Sequence, residues 1–157
     1  MPLTKEIIDN LAEKFGTNRE SLIPIMQGIV EAQNYLSKEA MIALAEKLDV
    51  SAAEVYGTAS FYSFLDTEPR GKYRIRICKS IICEMKGKNE ILRTIEDVIK
   101  IKVGETSKGE RFSLLSTNCL GWCAEGPAML VNDKVYTKLT PKKVRTILGD
   151  LLREEKA

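Results

Sequence analysis

Tyr73-Arg74-Ile75-Arg76-Ile77-Cys78-Lys79-Ser80-Ile81-Ile82-Cys83 is where the chain changes its period. Before it, apolar residues recur every three or four positions, as on one face of a helix. Here Tyr73, Ile75 and Ile77 alternate with Arg74 and Arg76, the two-residue repeat of a half-buried strand that ends at Cys78. The stretch marks the passage from a helical domain to a sheet domain, and it leaves a pair of thiols at the strand's end.

Downstream, Gly87 opens a helix with Ile91, Leu92, Ile95, Val98 and Ile99 on one face. The Lys108-Gly109 turn leads into a second strand, Phe112 to Leu115, that stops shortly before a second thiol pair, Cys119-Leu120-Gly121-Trp122-Cys123. Ala128–Val131 and Lys134–Thr137 flank Asn132-Asp133, a two-residue hairpin loop. Thr140-Pro141 caps and starts a last helix that turns Val144, Ile147, Leu148, Leu151 and Leu152 inward. The order β-α-β, hairpin, helix suits a mixed four-stranded sheet with flanking helices, compatible with a thioredoxin-like fold. Pro127 after Gly126 is a candidate cis proline.

Upstream, Leu3, Ile7, Ile8, Leu11 and Phe15 share a helical face that Gly16 ends. Thr17 with Glu20 has capping-box spacing, Pro24 fits a first turn, and Ile25, Met26, Ile29, Val30 and Leu36 continue as a stripe. Ser37 can cap a helix burying Ala40, Met41, Leu44, Ala45 and Leu48; Ser51 and Glu54 form a further capping box between Val50 and Val55. Short helices joined by short connections make a small bundle. Phe61-Tyr62-Ser63-Phe64 is an aromatic cluster that can plug the bundle or pack against a neighbour. Asp66–Gly71 is polar and turn-forming. The expected organisation is α+β: an N-terminal helical bundle, residues 1–69, followed by a thioredoxin-like domain, residues 70–157.

A net charge of +2 over 157 residues gives no reason to expect a nucleic-acid partner. Met1-Pro2-Leu3-Thr4-Lys5-Glu6 lacks a basic-then-apolar leader, and no apolar run reaches the ~18–20 residues of a membrane span. The chain is therefore expected in the cytoplasm, soluble or peripheral on the cytoplasmic side of a membrane complex, without membrane insertion itself. In a reducing compartment, paired cysteines point to ligands or catalysts before structural disulfides. There is no histidine to activate a serine or cysteine, so no nucleophilic site can be assembled in the usual way.

The chemistry therefore narrows to four thiols: Cys78 and Cys83 with four residues between them, Cys119 and Cys123 with three, and thirty-five between the pairs. Both pairs are expected in loops after strands, where Gly87, Gly121 and Gly126 allow tight turns and close approach of N–H groups to sulfur. A dithiol oxidoreductase wants Cys-x-x-Cys and leaves the second pair unexplained. A zinc site of four thiolates is allowed, though its usual knuckles are tighter. A [2Fe–2S] cluster needs two thiolates at each iron, and the four-residue interval occurs among plant-type ferredoxins. Spacing favours iron–sulfur over zinc and leaves both open. Trp122 is placed to shield such a group, to touch a partner or to pack on the sheet.

Cys-x4-Cys, a long interval, then Cys-Leu-Gly-x-Cys followed by Gly126-Pro127 resembles the thioredoxin-like [2Fe–2S] subunits of respiratory NADH dehydrogenase and of NAD-linked hydrogenases and formate dehydrogenases. Leu22-Ile23-Pro24, Gln33–Ser37 and Val55–Tyr62 match the helical domain of that family; Tyr73–Cys83 and Cys119–Val131 match its cluster domain. Departures are Asn34, where many relatives carry glycine, and Lys79–Ile82, less rich in threonine than some. The resemblance implies one [2Fe–2S] cluster, with Cys78 and Cys83 on one iron and Cys119 and Cys123 on the other. It implies a one-electron carrier, a subunit of an NADH-quinone oxidoreductase or an NAD-dependent, including bifurcating, hydrogenase. Such a subunit is part of an oxidoreductase but has no complete active site of its own. The implied partners are an FMN- and NADH-binding flavoprotein and further iron–sulfur subunits. The alternative is a zinc-stabilised interaction module without a redox role.

Overall fold

The computed structural model describes residues 2–154, without the side chains of residues 2 and 3, so the placement of Leu3 lies outside the described residues. The chain divides into two compact units, Met1–Arg70 and Gly71–Ala157.

The first unit holds α1 (Pro2–Phe15), α2 (Leu22–Gln33), α3 (Lys38–Leu48) and α4 (Ala52–Phe61). Its core is the expected stripes brought together: Ile8, Ile25, Met26, Ile29, Leu44 and Val55 are buried. Each such side chain contributes about 1.5–3 kcal/mol on leaving water. α1 and α2 approach closely at Gly28, where a Cβ would lie 2.6 Å from a Leu11 methyl carbon. α2 ends at Asn34, whose φ of 66° is left-handed; glycine tolerates that conformation best and asparagine better than most. The Ser37 hydroxyl accepts from Ala40 N at 3.1 Å, and the Ser51 hydroxyl from Glu54 N at 3.1 Å.

Several details differ from expectation. Glu20 sits in a 3-10 turn, Arg19–Ser21, preceded by Asn18 with no side-chain cap, so Thr17 starts no capping box. Leu36 is buried but lies beyond the end of α2. The Glu54 carboxylate does not complete the Ser51 box: it pairs with Arg19 at 2.7 Å, where a full charge is the better partner. The aromatic cluster does not plug the bundle, since Phe61 is 80% exposed and Tyr62 and Phe64 are exposed beside it.

The second unit contains β1 (Tyr73–Cys78), α5 (Ile81–Met85), α6 (Lys88–Ile99), β2 (Phe112–Thr117), β3 (Met129–Val131), β4 (Lys134–Tyr136) and α7 (Pro141–Arg153). The sheet order is β2-β1-β3-β4, with β1 parallel to β2 and the other pairs antiparallel. α6 and α7 bring Ile91, Ile95, Val144 and Leu148 into one core with Ile75, Ile77, Leu114 and Met129 of the strands. β1 is an inner strand and Arg76 is only 4% exposed, so the strand is buried nearly throughout and not half-buried as its alternation suggests.

The hairpin asparagine takes φ 50°; its side chain accepts from Arg74 N at 2.9 Å and donates to Lys72 O at 3.1 Å, which fastens the turn to the start of β1. The Thr140 hydroxyl caps α7 through Lys143 N. The Gly126–Pro127 peptide bond is cis.

The parallel pairing of β1 and β2 positions the thiols. Parallel strands end at the same edge of a sheet, and in this register Cys78 stands opposite Thr117, two residues before Cys119. Lys79 N donates to Thr117 O at 2.8 Å and carries the pairing past the strand ends.

Candidate metal centre

Each thiol is set by a different local device. Cys78 is the last residue of β1 and is buried. Ser80 then turns the chain into α5, and Glu84 N donates back to Ser80 O at 3.1 Å. Cys83 therefore lies on a short helix and not in a loop, which corrects the expectation: a serine just after the strand provides the helix start, and the helix directs the second thiol inward, where it is 1% exposed. Cys119 follows β2 in an exposed loop, and Cys123 opens a 3-10 turn, Cys123–Glu125.

The sulfurs associate in pairs. Cys119 and Cys123 Sγ lie 3.1 Å apart, and Cys83 is among the neighbours that lower the Cys78 thiol. The two pairs also meet. The Leu120 amide, from the second loop, is among the groups that lower the Cys78 thiol, and the charges of Cys83 and Cys78 raise that of Cys123. All four cysteines are free. Among the described residues, no three His, Cys, Asp or Glu side chains gather as ligands of a single metal ion.

The surroundings set the two pairs apart. Burial pushes the Cys78 thiol up, but the Ser80 hydroxyl and amide, the Leu120 amide and Cys83 together outweigh it and hold the thiol below its ordinary range. Cys123 moves the other way, raised by its hydrogen bond to Cys119, by desolvation and by the charges of Cys119, Cys83 and Cys78. The Gly121 amide donates to Cys119 Sγ at 3.4 Å. Gly121 has φ 84°, so the turn that aims this amide needs glycine.

Gly126 closes the far side. A Cβ there would stand 3.3 Å from Cys83 Sγ and 3.4 Å from Lys86 Cδ, so the bare backbone makes room for the sulfur. Lys86 donates to Cys123 O at 2.9 Å and Ala124 O at 2.8 Å. Glu125 accepts from the Thr137 hydroxyl at 3.0 Å and pairs with Lys138 at 3.5 Å, which anchors the 3-10 turn to the segment before α7. Trp122 is 47% exposed, so it is not simply packed on the sheet.

Ser80 and Lys86 are not among the residues that sequence spacing singles out. Ser80 has a local signal, a capping residue type between a strand and an apolar pair. Lys86 has none, because its partners are backbone carbonyls.

The donor set suits a binuclear iron–sulfur cluster. Four soft thiolates in two pairs would give two donors to each of two irons, and the Gly121 amide points at the Cys119 sulfur. No helix of the described residues is long and apolar enough to cross a membrane.

The family model for thioredoxin-like [2Fe-2S] ferredoxins matches residues 5–152. An NADH-quinone oxidoreductase subunit of Buchnera aphidicola subsp. Acyrthosiphon pisum is 35% identical over 90% of this chain and 87% of its own length. The HndA subunit of the NADP-reducing hydrogenase of Solidesulfovibrio fructosivorans is 33% identical over 95% of this chain and 86% of its own. Among solved structures, the fold resembles part of an NAD+-reducing [NiFe]-hydrogenase at a TM-score of 0.75 and 20% identity, covering 85% of this chain and 23% of that one.

Proposed function

The chain belongs to the thioredoxin-like [2Fe–2S] ferredoxin family, and from that premise we propose that it is a one-electron carrier in a multisubunit NADH-linked oxidoreductase. Cys78 and Cys83 hold one iron of a single [2Fe–2S] cluster, and Cys119 and Cys123 hold the other. The complex is an NADH-quinone oxidoreductase or an NAD(P)-linked hydrogenase, and the immediate partner is a flavoprotein carrying FMN and binding NADH. Further iron–sulfur subunits complete the assembly, which lies in the cytoplasm or on the cytoplasmic face of a membrane complex. The observation that carries this reading is the pairing of four free thiols where the parallel strands β1 and β2 end.

When bound, the cluster accepts and releases single electrons. The chain's own residues do the rest. β1 and α5 fix the buried pair, while the loop after β2 presents the more exposed pair towards the surface. The Gly121 amide stabilises negative charge on the Cys119 sulfur, which favours the reduced state. No proton has to move and no substrate has to be held. The exposed rings of Phe61, Tyr62 and Phe64 supply docking area on the helical unit, since large exposed apolar groups of this kind mark interaction surfaces.

Capture of the native complex through a tag on this chain, followed by anaerobic redox titration, tests the assignment. Flavin in the captured complex and a one-electron cluster signal arising from this subunit are the expected results. A captured chain that brings no flavin-containing partner and shows no one-electron signal overturns the reading.

A further inference from the structure

Lys86 closes α5, three residues beyond Cys83, and its ammonium reaches across to the second cysteine loop. It donates to Cys123 O at 2.9 Å and to Ala124 O at 2.8 Å. The 3-10 turn that starts at Cys123 has little else to occupy these acceptors: the Gly126 amide lies a long 3.5 Å from Cys123 O. A lysine ammonium is a suitable donor to carbonyls left open in a short 3-10 turn. The stem is held as closely as the head. Its Cδ and Cys83 Sγ lie 3.4 and 3.3 Å from the same point, the position a Cβ on residue 126 would occupy. The stem therefore borders the same glycine as the Cys83 sulfur, while the charge rests on the main chain of Cys123 and Ala124. Glu84, the carboxylate on the same short helix, faces Lys88 at 3.8 Å.

On the iron–sulfur reading above, Cys83 and Cys123 serve different irons, and Lys86 joins the two segments that carry them. We propose that Lys86 is a positioning residue of the cluster, clamping the Cys83 and Cys123 segments together and placing a positive charge that favours the reduced state. The charge acts because reduction adds one negative charge to the site, and a nearby cation stabilises that state more than the oxidised one. Lys86 is exposed, so its influence falls as salt rises.

The test uses the full chain, loaded with cluster anaerobically, with the substitutions Lys86→Met, Lys86→Arg and Lys86→Gln. Lys86 is exposed, so none of them disturbs the core. Cluster loss to a chelator is followed by visible absorbance, and the midpoint potential is measured at low and high salt. Lys86→Met is expected to lose its cluster about three- to tenfold faster, the scale of losing charged hydrogen bonds at an exposed site. Its one-electron equilibrium against a fixed couple should fall about threefold, or about 30 mV at 59 mV per tenfold, with the difference shrinking in high salt. Lys86→Arg should restore the potential, and Lys86→Gln should match Lys86→Met in potential while retaining cluster better. A Met variant with the wild-type potential overturns the assignment even if retention falls, because a packing defect alone gives that result. Failure of the wild-type chain to take up iron and sulfide would refute the carrier reading itself, which separates the two failures.

Discussion

Cys83 is the thiol whose position depends most on the fold. Its sulfur is buried, aimed inward by one turn of α5, and packed over the bare backbone of Gly126. The Cys83→Ser substitution exchanges a soft thiolate for a harder hydroxyl that iron takes less well. Loss or distortion of the visible and paramagnetic cluster signals is expected, with the helical far-ultraviolet signal of the first unit retained. An unaltered cluster signal in this variant contradicts the ligand assignment. The residue scale also shows what a sequence can conceal. The four cysteines stand out through type and spacing, since no histidine competes for the role. Lys86 does not stand out, because a lysine bonded to the carbonyls of a distant loop leaves no pattern of residue types.

At the scale of elements, the join between the boundary turn and β2 is tight. Gly71 N donates to the buried Ser113 hydroxyl at 2.8 Å, and a Cβ on residue 71 would fall 2.7 Å from Phe112 N. That neighbour is backbone and cannot rotate away. Gly71→Ala is expected to lower the stability of the second unit by about 1–3 kcal/mol, read from urea unfolding, because it overpacks a site flanked by main chain. A variant as stable as the parent shows that the turn can shift. A second element-scale effect belongs to α3. Glu39 is held below the usual carboxylate range by its own backbone amide and the Ser37 hydroxyl at the helix N-terminus. A carboxyl with a depressed folded-state pKa stabilises the fold above its unfolded value and loses that contribution as pH falls through the folded one. Glu39→Gln should therefore unfold at lower urea than the parent at pH 7, and the gap should close in acid. A gap constant with pH assigns the effect to something other than the charge.

Helix stripes, strand alternation and the hairpin were legible because each is a local repeat. The start of α5 was not, because an apolar pair after a strand fits a loop as well as a single helical turn. The burial of Arg76 was not, because alternation reports residue type and says nothing of what covers the polar face. The 3-10 turn at Arg19–Ser21 escaped for a related reason: Thr17 and Glu20 have the spacing of a capping box, but Ser21 Oγ donates back to Phe15 O at 2.7 Å and the chain tightens there instead.

At the scale of the molecule, the chain is two compact units of different build. One is a helical bundle built from apolar stripes and edged with exposed rings; the other is a sheet whose parallel pair ends in four thiols. The chain belongs to the thioredoxin-like [2Fe–2S] family, whose members similar to it are subunits of NADH-quinone oxidoreductase and NADP-reducing hydrogenase. Iron, inorganic sulfide and zinc analysis of the anaerobically purified full chain, alongside its visible spectrum, is the sharpest test of the iron–sulfur assignment. About two irons and two sulfides per chain are expected, with a visible band that bleaches on one-electron reduction. A colourless chain holding about one zinc and no sulfide would contradict the assignment.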